Sequence, residues 1–565
     1  MGQLVGVCRS GFAGHRGPVT KCFSAARGCA GCGYDSTVKT NSVTPATSFA
    51  RPARRAIATL CASLLFAAPL AVAQTTPNNT VLPTLGDAAR EDLSPVMERK
   101  LGEEIMRDIR RDRDFLDDDP ILEYLNNFGN ALVAAHPTAR GETGADFYFF
   151  AVRDPMLNAF ALPGGFIAVH SALLIAAQTE SELASVLGHE IGHVEQRHIA
   201  RMLGKQRQDA LIPLAALVLA ALAAKAGSDA AMGVFMGGQG LAIQRQLNFS
   251  RDAEREADRI GFQIMGAAGF DTSGMVAFFG RLQTASRNYS DLTPAYLQSH
   301  PLTTERIADI QARIRDMPYR QRIDGLEFHL VRARARVLQD ASETGMRESQ
   351  VAFETQMALQ NRQQQASGQY GMAFLSLKRN ELEKAQGWLE KARLTMKRNE
   401  GAAVFSTGQA ASDGAAIFAS MALEIKLAPG QPAAVTKQAM KDAELAHSQY
   451  PLSRGITRQY ADAMIANGLL DEAGRFLREQ VQMYREEPKL YDLLAKTYAA
   501  QGKMTLQHLA LAESYVLTGG VLAALDQLTI ARKASDASFY DMAVIDARER
   551  EWQARRREEL KEAKK

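Results

Sequence analysis

The sequence predicts a mainly α-helical protein, in which an α+β domain built round one small sheet is followed by an α-helical repeat solenoid. Three observations carry this. Strand-like runs fall at Phe147–Val152 and around Asn158–Val169, with apolar residues at helical spacing on either side. Beyond about residue 320 the pattern turns to helix pairs, and Ala461, Met464 and Gly468 return as Ala495, Tyr498 and Gly502, each 34 residues on, the period of tetratricopeptide repeats. The 565-residue length also exceeds what one core fills, at ~100–200 residues per domain.

Composition sets the broad class. Apolar residues make up 46% and charged residues 23%, ordinary globular values that argue against disorder, a collagen-like repeat or a polytopic membrane protein. The net charge of +3 misleads, because residues 1–73 hold eight Lys/Arg and one Asp and leave about −4 on the remainder. No basic footprint for nucleic acid survives. All five cysteines (Cys8, Cys22, Cys29, Cys32, Cys61) lie in that same stretch, which suits a protein working in an oxidising compartment without disulfides. Cys29 and Cys32 lack the second pair that a zinc knuckle needs.

Residues 1–50, rich in Gly, Ser and Thr and without periodicity, read as an unstructured leader, and translation starting downstream of Met1 is one account of them. Arg51, Arg54 and Arg55 then precede the apolar run Ala56–Val72, which ends in Ala71-Val72-Ala73 before Gln74. A basic region, an apolar run and a small-x-small site make residues 51–73 a secretory signal peptide cleaved after Ala73. A membrane anchor is the rival, but the run is shorter than the ~20 residues of a span and contains Pro69. Residues 74–93 are expected to be a linker and 94–320 the α+β domain.

That domain opens with Ser94-Pro95, a cap and first-turn pair, followed by Val96, Leu101, Ile105 and Ile109 at helical spacing. A second helix is expected around Ile121–Ala134, then a strand from Phe147, then two short strands joined by a turn within Asn158–Val169. The next helix starts at Thr179, with Glu182 at capping-box spacing, and should run to about Leu203.

This helix carries His189-Glu190-Ile191-Gly192-His193. His189 and His193 lie about 40° apart around a helix, so both rings can reach one ion. Neutral imidazoles suit Zn²⁺, and two of them with one further protein ligand leave a position for water, a zincin-type catalytic arrangement with one Zn²⁺ per chain. Such an ion acidifies water while Glu190 takes the proton and later passes it to the leaving amine of a peptide. The five-residue pattern also arises by chance, so the third ligand decides.

Residues 250–261, Ser-Arg-Asp-Ala-Glu-Arg-Glu-Ala-Asp-Arg-Ile-Gly, supply it. Glu254 and Asp258 share a helix face, so Glu254 can ligate the ion while Asp258 accepts a hydrogen bond from a ligand imidazole. Glu256 is the rival, but it projects about 160° from Asp258. His300, in Ser299-His300-Pro301-Leu302, and Arg306 are candidates to stabilise the oxyanion of a tetrahedral intermediate, worth ~2.7–4 kcal/mol for a well-placed donor. Alternatively His300 takes the fourth zinc position and holds the enzyme off. His198, about 180° from His189 on one helix, should face away from the metal. His136, His170, His329, His447 and His508 read as structural.

Together these residues resemble the HtpX-like and CAAX-prenyl-protease-like metallopeptidases. The resemblance rests on Asn158-Ala-Phe-Ala-Leu-Pro-Gly-Gly165, the HExxH helix, the 250–261 helix, and His300-Pro301 with Arg306, and it covers roughly residues 90–315. It implies His189, His193 and Glu254 as zinc ligands, Glu190 as base, and misfolded or stalled envelope and outer-membrane proteins as substrates in the periplasm. Unlike multi-spanning branches of that superfamily, the chain after Ala73 has no run of ~20 apolar residues. Leu211–Ala224, interrupted by Pro213, comes nearest and reads as a buried or interfacial helix, with peripheral membrane contact or a cover over the cleft as further readings. Gly233, Gly237, Gly238 and Gly240 after it offer hinges.

In residues 321–565, Leu382-Glu-Lys-Ala385 and Leu470-Asp-Glu-Ala473 look like the same second-helix start, and Gly401–Gly414 and Pro429–Pro432 read as loops. The family also pairs its peptidase with such an array. Stacked helix pairs form a concave surface, here expected to select substrate or dock on an assembly machine, which the resemblance implies is the β-barrel assembly machinery. The mixed-charge end, Arg548–Lys565, is expected to be a frayed helix. The leading reading is a zinc endopeptidase of envelope quality control, with chaperone activity alongside. The alternative is a repeat-based assembly chaperone whose peptidase is mostly latent.

Overall fold

The computed structural model describes residues 93–141, 145–204, 251–288, 295–315, 317, 320, 322–397 and 414–562. All of them belong to one compact unit, Asn79–Lys565. The leader, the signal peptide with its cleavage point after Ala73, residues 74–92 of the linker, Ser250, Leu211–Ala224 with the glycines that follow it, and residues 401–413 lie outside the described residues. Among the described residues the protein is mainly α-helical with one three-stranded sheet, the fold class read from sequence. No described helix is long and apolar enough to cross a membrane.

Helices α1 (Pro95–Ile109) and α2 (Asp119–Ala135) each start with proline in the first turn behind a capping side chain, Ser94 accepting from the Met97 N–H and Asp118 from the Ile121 N–H. The cap satisfies one backbone donor that the helix itself leaves open, and proline costs nothing where no N–H is needed. Ile105, Met106 and Ile109 are buried and Leu101 packs against them, while Val96 faces solvent at 78% exposure.

Strand β1 (Tyr148–Val152) runs parallel to β3 (Phe166–His170), and β2 (Ala159–Leu162) pairs antiparallel with β3. The β2–β3 turn is possible because Gly164 and Gly165 hold φ of +78° and +89°, and a Cβ at Gly165 would stand 2.6 Å from the Asp146 carbonyl oxygen. The outer edge of β1 is closed by a side chain: Asn126 donates to the Phe149 carbonyl at 2.7 Å and accepts from its N–H at 3.0 Å. β2 is the other edge. Since the His170 N–H donates to the Asn158 carbonyl, the alternation of an antiparallel ladder turns Phe160 and Leu162 towards β3 and the backbone of Ala159 and Ala161 outward.

After β3 come α3 (Ser171–Ala176), α4 (Glu180–Glu195), α5 (His198–Gly204), α6 (Arg251–Ala267), α7 (Ser273–Asn288), α8 (Ala295–Ser299) and α9 (Thr304–Arg315). The expected single helix to Leu203 is in fact two. Arg197 adopts φ of +51°, which an α-helix cannot continue through, and the chain restarts at His198.

The remaining helices are α10 (Leu326–Gln339), α11 (Glu343–Met357), α12 (Arg362–Lys378), α13 (Leu382–Lys397), α14 (Ala415–Leu427), α15 (Ala433–Gln449), α16 (Arg454–Ala466), α17 (Leu470–Met483), α18 (Pro488–Ala500), α19 (Met504–Leu517), α20 (Val521–Lys533) and α21 (Phe539–Glu562). The 34-residue spacing has a structural counterpart. Ala461 and Met464 of α16 and Ala495 and Tyr498 of α18 are buried, and Gly468 and Gly502 end those helices with φ of +75° and +73°. Leu382 and Leu470 both open helices, with Ala385 and Ala473 fully buried one turn in.

At the C-terminal end α21 is helical to Glu562. Ile545 and Trp552, seven residues apart, anchor it in a cluster with Ala512 and Leu528, and Arg548 pairs with Glu513 at 2.6 Å. Two apolar anchors in a charged run are too sparse for a periodicity argument, yet a buried tryptophan outweighs them in area.

The array folds back on the α+β part. One hydrophobic core contains Leu125, Phe149, Ile191 and Ile260 together with Phe328, Tyr370 and Phe418, so no gap in packing falls near residue 320. Arg334 of α10 bonds Asp118 at the start of α2, Glu123 of α2 accepts from the Gly455 N–H at 2.7 Å, and Arg111 reaches the Gly519 carbonyl.

Candidate metal centre

Glycine sets how closely α4 and α6 cross. A Cβ at Gly188 would lie 3.1 Å from the Gly261 carbonyl oxygen, one at Gly192 would lie 3.0 Å from that of Ala257, and one at Gly261 would lie 2.8 Å from the His189 nitrogen. With no side chains between them the two backbones touch, and the side chains on either flank of the crossing reach a common point. Gly261→Ala forces backbone apart from backbone. We expect it to cost ~1–3 kcal/mol in urea unfolding and to weaken metal binding with it. Unchanged metal affinity in the folded variant would count against this account of the crossing.

The common point is a buried cluster. One donor atom each from His189, His193, Glu254 and His300 lie within 4.8 Å of one another. His193 Nε2 is 3.0 Å from His189 Nε2, and the Glu254 carboxylate lies 3.4 Å from each of these nitrogens. His300 Nδ1 stands 3.1 Å from Glu254 Oε1 and 3.3 Å from His189 Nε2. On the far side of His189, Nδ1 is 2.9 Å from Asp258 Oδ1. Glu190 is fully buried beside the cluster, with His300 Nε2 3.6 Å from its Oε1.

Residues 126–314 match the profile described as peptidase family M48. The chain carries an M48 metallopeptidase domain. Its relatives include beta-barrel assembly-enhancing proteases of Yersinia pestis, 28% identical over 87% of this chain and 96% of the relative, and of Escherichia coli strain K12, 28% identical over 83% and 90%. A Vibrio cholerae protein that bears the same name provisionally is 37% identical over 57% of this chain, a match that spans 65% of the relative's length.

The electrostatics of the M48 domain fit a divalent cation. Three buried carboxylates, Glu190, Glu254 and Asp258, meet here, and among the described residues Arg306 is the guanidinium buried with them. Burial opposes ionisation of Glu254, but the imidazoles round it, His300 first, hold its carboxyl well below the usual range. Burial likewise acts against His189, yet Asp258 and Glu254 lift it to about 9, whereas burial takes His193 down to about 3. Carboxylates that favour a positive charge, beside a His193 nitrogen that burial keeps unprotonated, make a cation site. Three imidazoles and one carboxylate are donors that suit Zn²⁺.

Two expectations about the surroundings change. His198 does not face away: the break at Arg197 turns α5 so that His198 Nδ1 lies 2.8 Å from His193 Nδ1. Arg306 does not offer free donors to a substrate oxyanion. It is 2% exposed, donates to Asp258 at 2.6 and 2.8 Å and to the Pro301 carbonyl at 2.9 Å, and pairs with Glu254 at 2.9 Å. Its place is behind the ligands. Glu256, the rival third ligand, lies outside the cluster and bonds His198 at 3.1 Å.

Sequence reasoning missed Tyr296. Its ring lies 4.7 Å from that of His300, its N–H donates to the Leu157 carbonyl, and it walls the cluster beside Glu190. No spacing signal marked it, because it sits on the five-residue helix α8. His136 and His170 pair with Glu195 and Asp154, and His447 stacks on Tyr460, away from the metal cluster.

Proposed function

We propose that the protein is a periplasmic zinc endopeptidase that cleaves misfolded or stalled outer-membrane proteins, exported by the signal peptide at 51–73. The observation that carries the enzymatic part is the buried His189–His193–Glu254–His300 cluster with the fully buried carboxylate of Glu190 against it. His189, His193 and Glu254 hold one Zn²⁺ per chain. The ion supplies Lewis-acid polarisation of a peptide carbonyl and acidifies water.

Glu190 is the general base. Burial pushes its carboxyl above the usual range, with His300 and His189 pulling the other way, which brings it nearer the pH at which a base must both take and return a proton. The outward backbone of Ala159 and Ala161 in β2 offers an extended substrate the missing strand, and extended chain is what an unfolded barrel protein presents. Asp258 and Arg306 orient His189 and Glu254. The names of the relatives support outer-membrane assembly as the setting, and residues 321–565, as a repeat domain beside the peptidase domain at 94–320, supply the surface for docking on the assembly machinery. Leu211–Ala224 remains the candidate for peripheral membrane contact.

His300 favours a second reading. As a fourth protein donor it completes a closed coordination set, and closed sets are those of structural zinc. An enzyme resting in that state is latent until His300 withdraws, and the repeat surface would then act mainly as an assembly chaperone.

Metal removal tests the site. Dialysis against a chelator should abolish hydrolysis of an unfolded protein and lower Tm, and one equivalent of zinc should restore both, since a ligand at 100 times its Kd stabilises by ~2.7 kcal/mol. Chelator-resistant hydrolysis would refute the assignment.

A further inference from the structure

Each of the two imidazoles carried by α4 has its own support. For His189 it is Asp258, itself held by Arg306. For His193 the structure provides a longer chain: His193 Nδ1 to His198 Nδ1 at 2.8 Å, His198 Nε2 to Glu256 Oε2 at 3.1 Å, and Arg201 Nη2 to the same oxygen at 2.8 Å. His198 is 3% exposed.

We propose that His198, backed by Glu256, is a positioning residue that fixes the tautomer and ring orientation of His193 for the metal. The proposal rests on the metal site assigned above. His193 turns Nε2 into the cluster, so as a neutral ligand it must carry its proton on Nδ1. Among the described residues His198 Nδ1, 2.8 Å away, is placed to accept that proton. His198 is therefore protonated on Nε2 and donates to the Glu256 carboxylate, and every donor faces an acceptor without a net charge being added. The opposite assignment leaves His193 Nε2 protonated and unable to bind a cation.

The backbone is built to make this contact. On an unbroken helix His198 would point away from His193. Arg197 instead holds the left-handed conformation, which side chains other than glycine seldom adopt, and it is clamped there by Glu98 at 2.8 Å and by the Leu93 carbonyl. Two residues that precede and open the domain thus fix the turn that aims His198.

The test is zinc affinity of the full chain by competition with a chromophoric chelator, together with the visible spectrum of the Co²⁺-substituted protein. Wild type should bind one zinc, and His189→Ala should abolish binding. His198→Phe should weaken zinc by ~10–100-fold and change the Co²⁺ bands, the range found when a partner of a ligand histidine is removed. Glu256→Ala should weaken it by ~3-fold or more, and Glu256→Gln, which keeps an acceptor oxygen, by less. His198→Phe/Glu256→Ala should bind no more weakly than His198→Phe alone, because the chain acts as one unit. His136→Gln, at a pair remote from the cluster, should bind as wild type does.

Wild-type affinity in both His198→Phe and Glu256→Ala overturns the positioning role and leaves the metal site standing. Loss of thermal stability in the metal-free protein with unchanged zinc affinity overturns it too, since that is what a packing role predicts. Should His198→Phe not fold, Glu256→Ala decides alone by the same threshold. A wild-type protein that binds no zinc overturns the site and this inference together.

Discussion

Substituting glutamine for Glu190 lowers peptide hydrolysis by ~10²–10⁴-fold while leaving one zinc per chain. The two halves of this expectation have separate grounds. Glu190 is not among the four clustered donors, so an isosteric amide removes none of the groups that meet at the cluster. What the amide cannot do is take a proton. Hydrolysis of an unfolded protein, read beside zinc content, checks both halves. Activity within a few-fold of wild type would move the base elsewhere. The same variant separates the two functional readings in cells: an assembly chaperone with a latent peptidase keeps its role, and an endopeptidase loses it.

Arg334→Met destabilises the whole protein by ~3–5 kcal/mol, the cost of leaving buried charges without their partner. Arg334 is 3% exposed and lies over the Phe374 ring at 4.0 Å. It donates to both oxygens of Asp118, to Glu424 at 3.1 and 3.2 Å, and to the Tyr370 hydroxyl at 3.1 Å. Methionine keeps most of the volume and none of the donors. Asp118 and Glu424 are then stranded, and burial already pushes the Glu424 carboxyl up.

The triple variant Arg334→Met/Asp118→Asn/Glu424→Gln should recover most of the loss, because removing a buried ionic group entirely costs far less than halving it. Asparagine at 118 also preserves the cap on α2. Urea unfolding of the three proteins measures this. A single variant less than ~1 kcal/mol below wild type, or a triple variant worse than the single, contradicts it.

The metal-facing residues could be read in the sequence because helix geometry is local. His189 and His193 on α4, and Glu254 and Asp258 on α6, share faces by spacing alone, and the structure brings those faces together. What spacing could not convey is how the helices meet. Gly188, Gly192 and Gly261 look like weak helix residues in a sequence, and only the crossing gives them a reason. His198 was placed on the wrong side because the argument from 100° per residue assumes an unbroken helix, and Arg197, not a residue known for breaking helices, ends it. Arg306 was legible as part of the site but not as a partner of Asp258, a contact across 48 positions. In the C-terminal half the 34-residue period was visible, whereas the anchoring of α21 by Ile545 and Trp552 was hidden among its charges.

The bonds from the array to α2 also bear on the order in which the chain can fold. Glu123 meets the Gly455 N–H across 332 positions, and the core round Phe149 and Ile191 includes Phe418. Contacts this distant in sequence form late, after much loop-closure entropy has been overcome. A chain emerging from its start has the helices of the His189–His193–Glu254 cluster long before it has Glu424 and Phe418. The core round the clustered helices is thus completed only when the last third of the chain arrives.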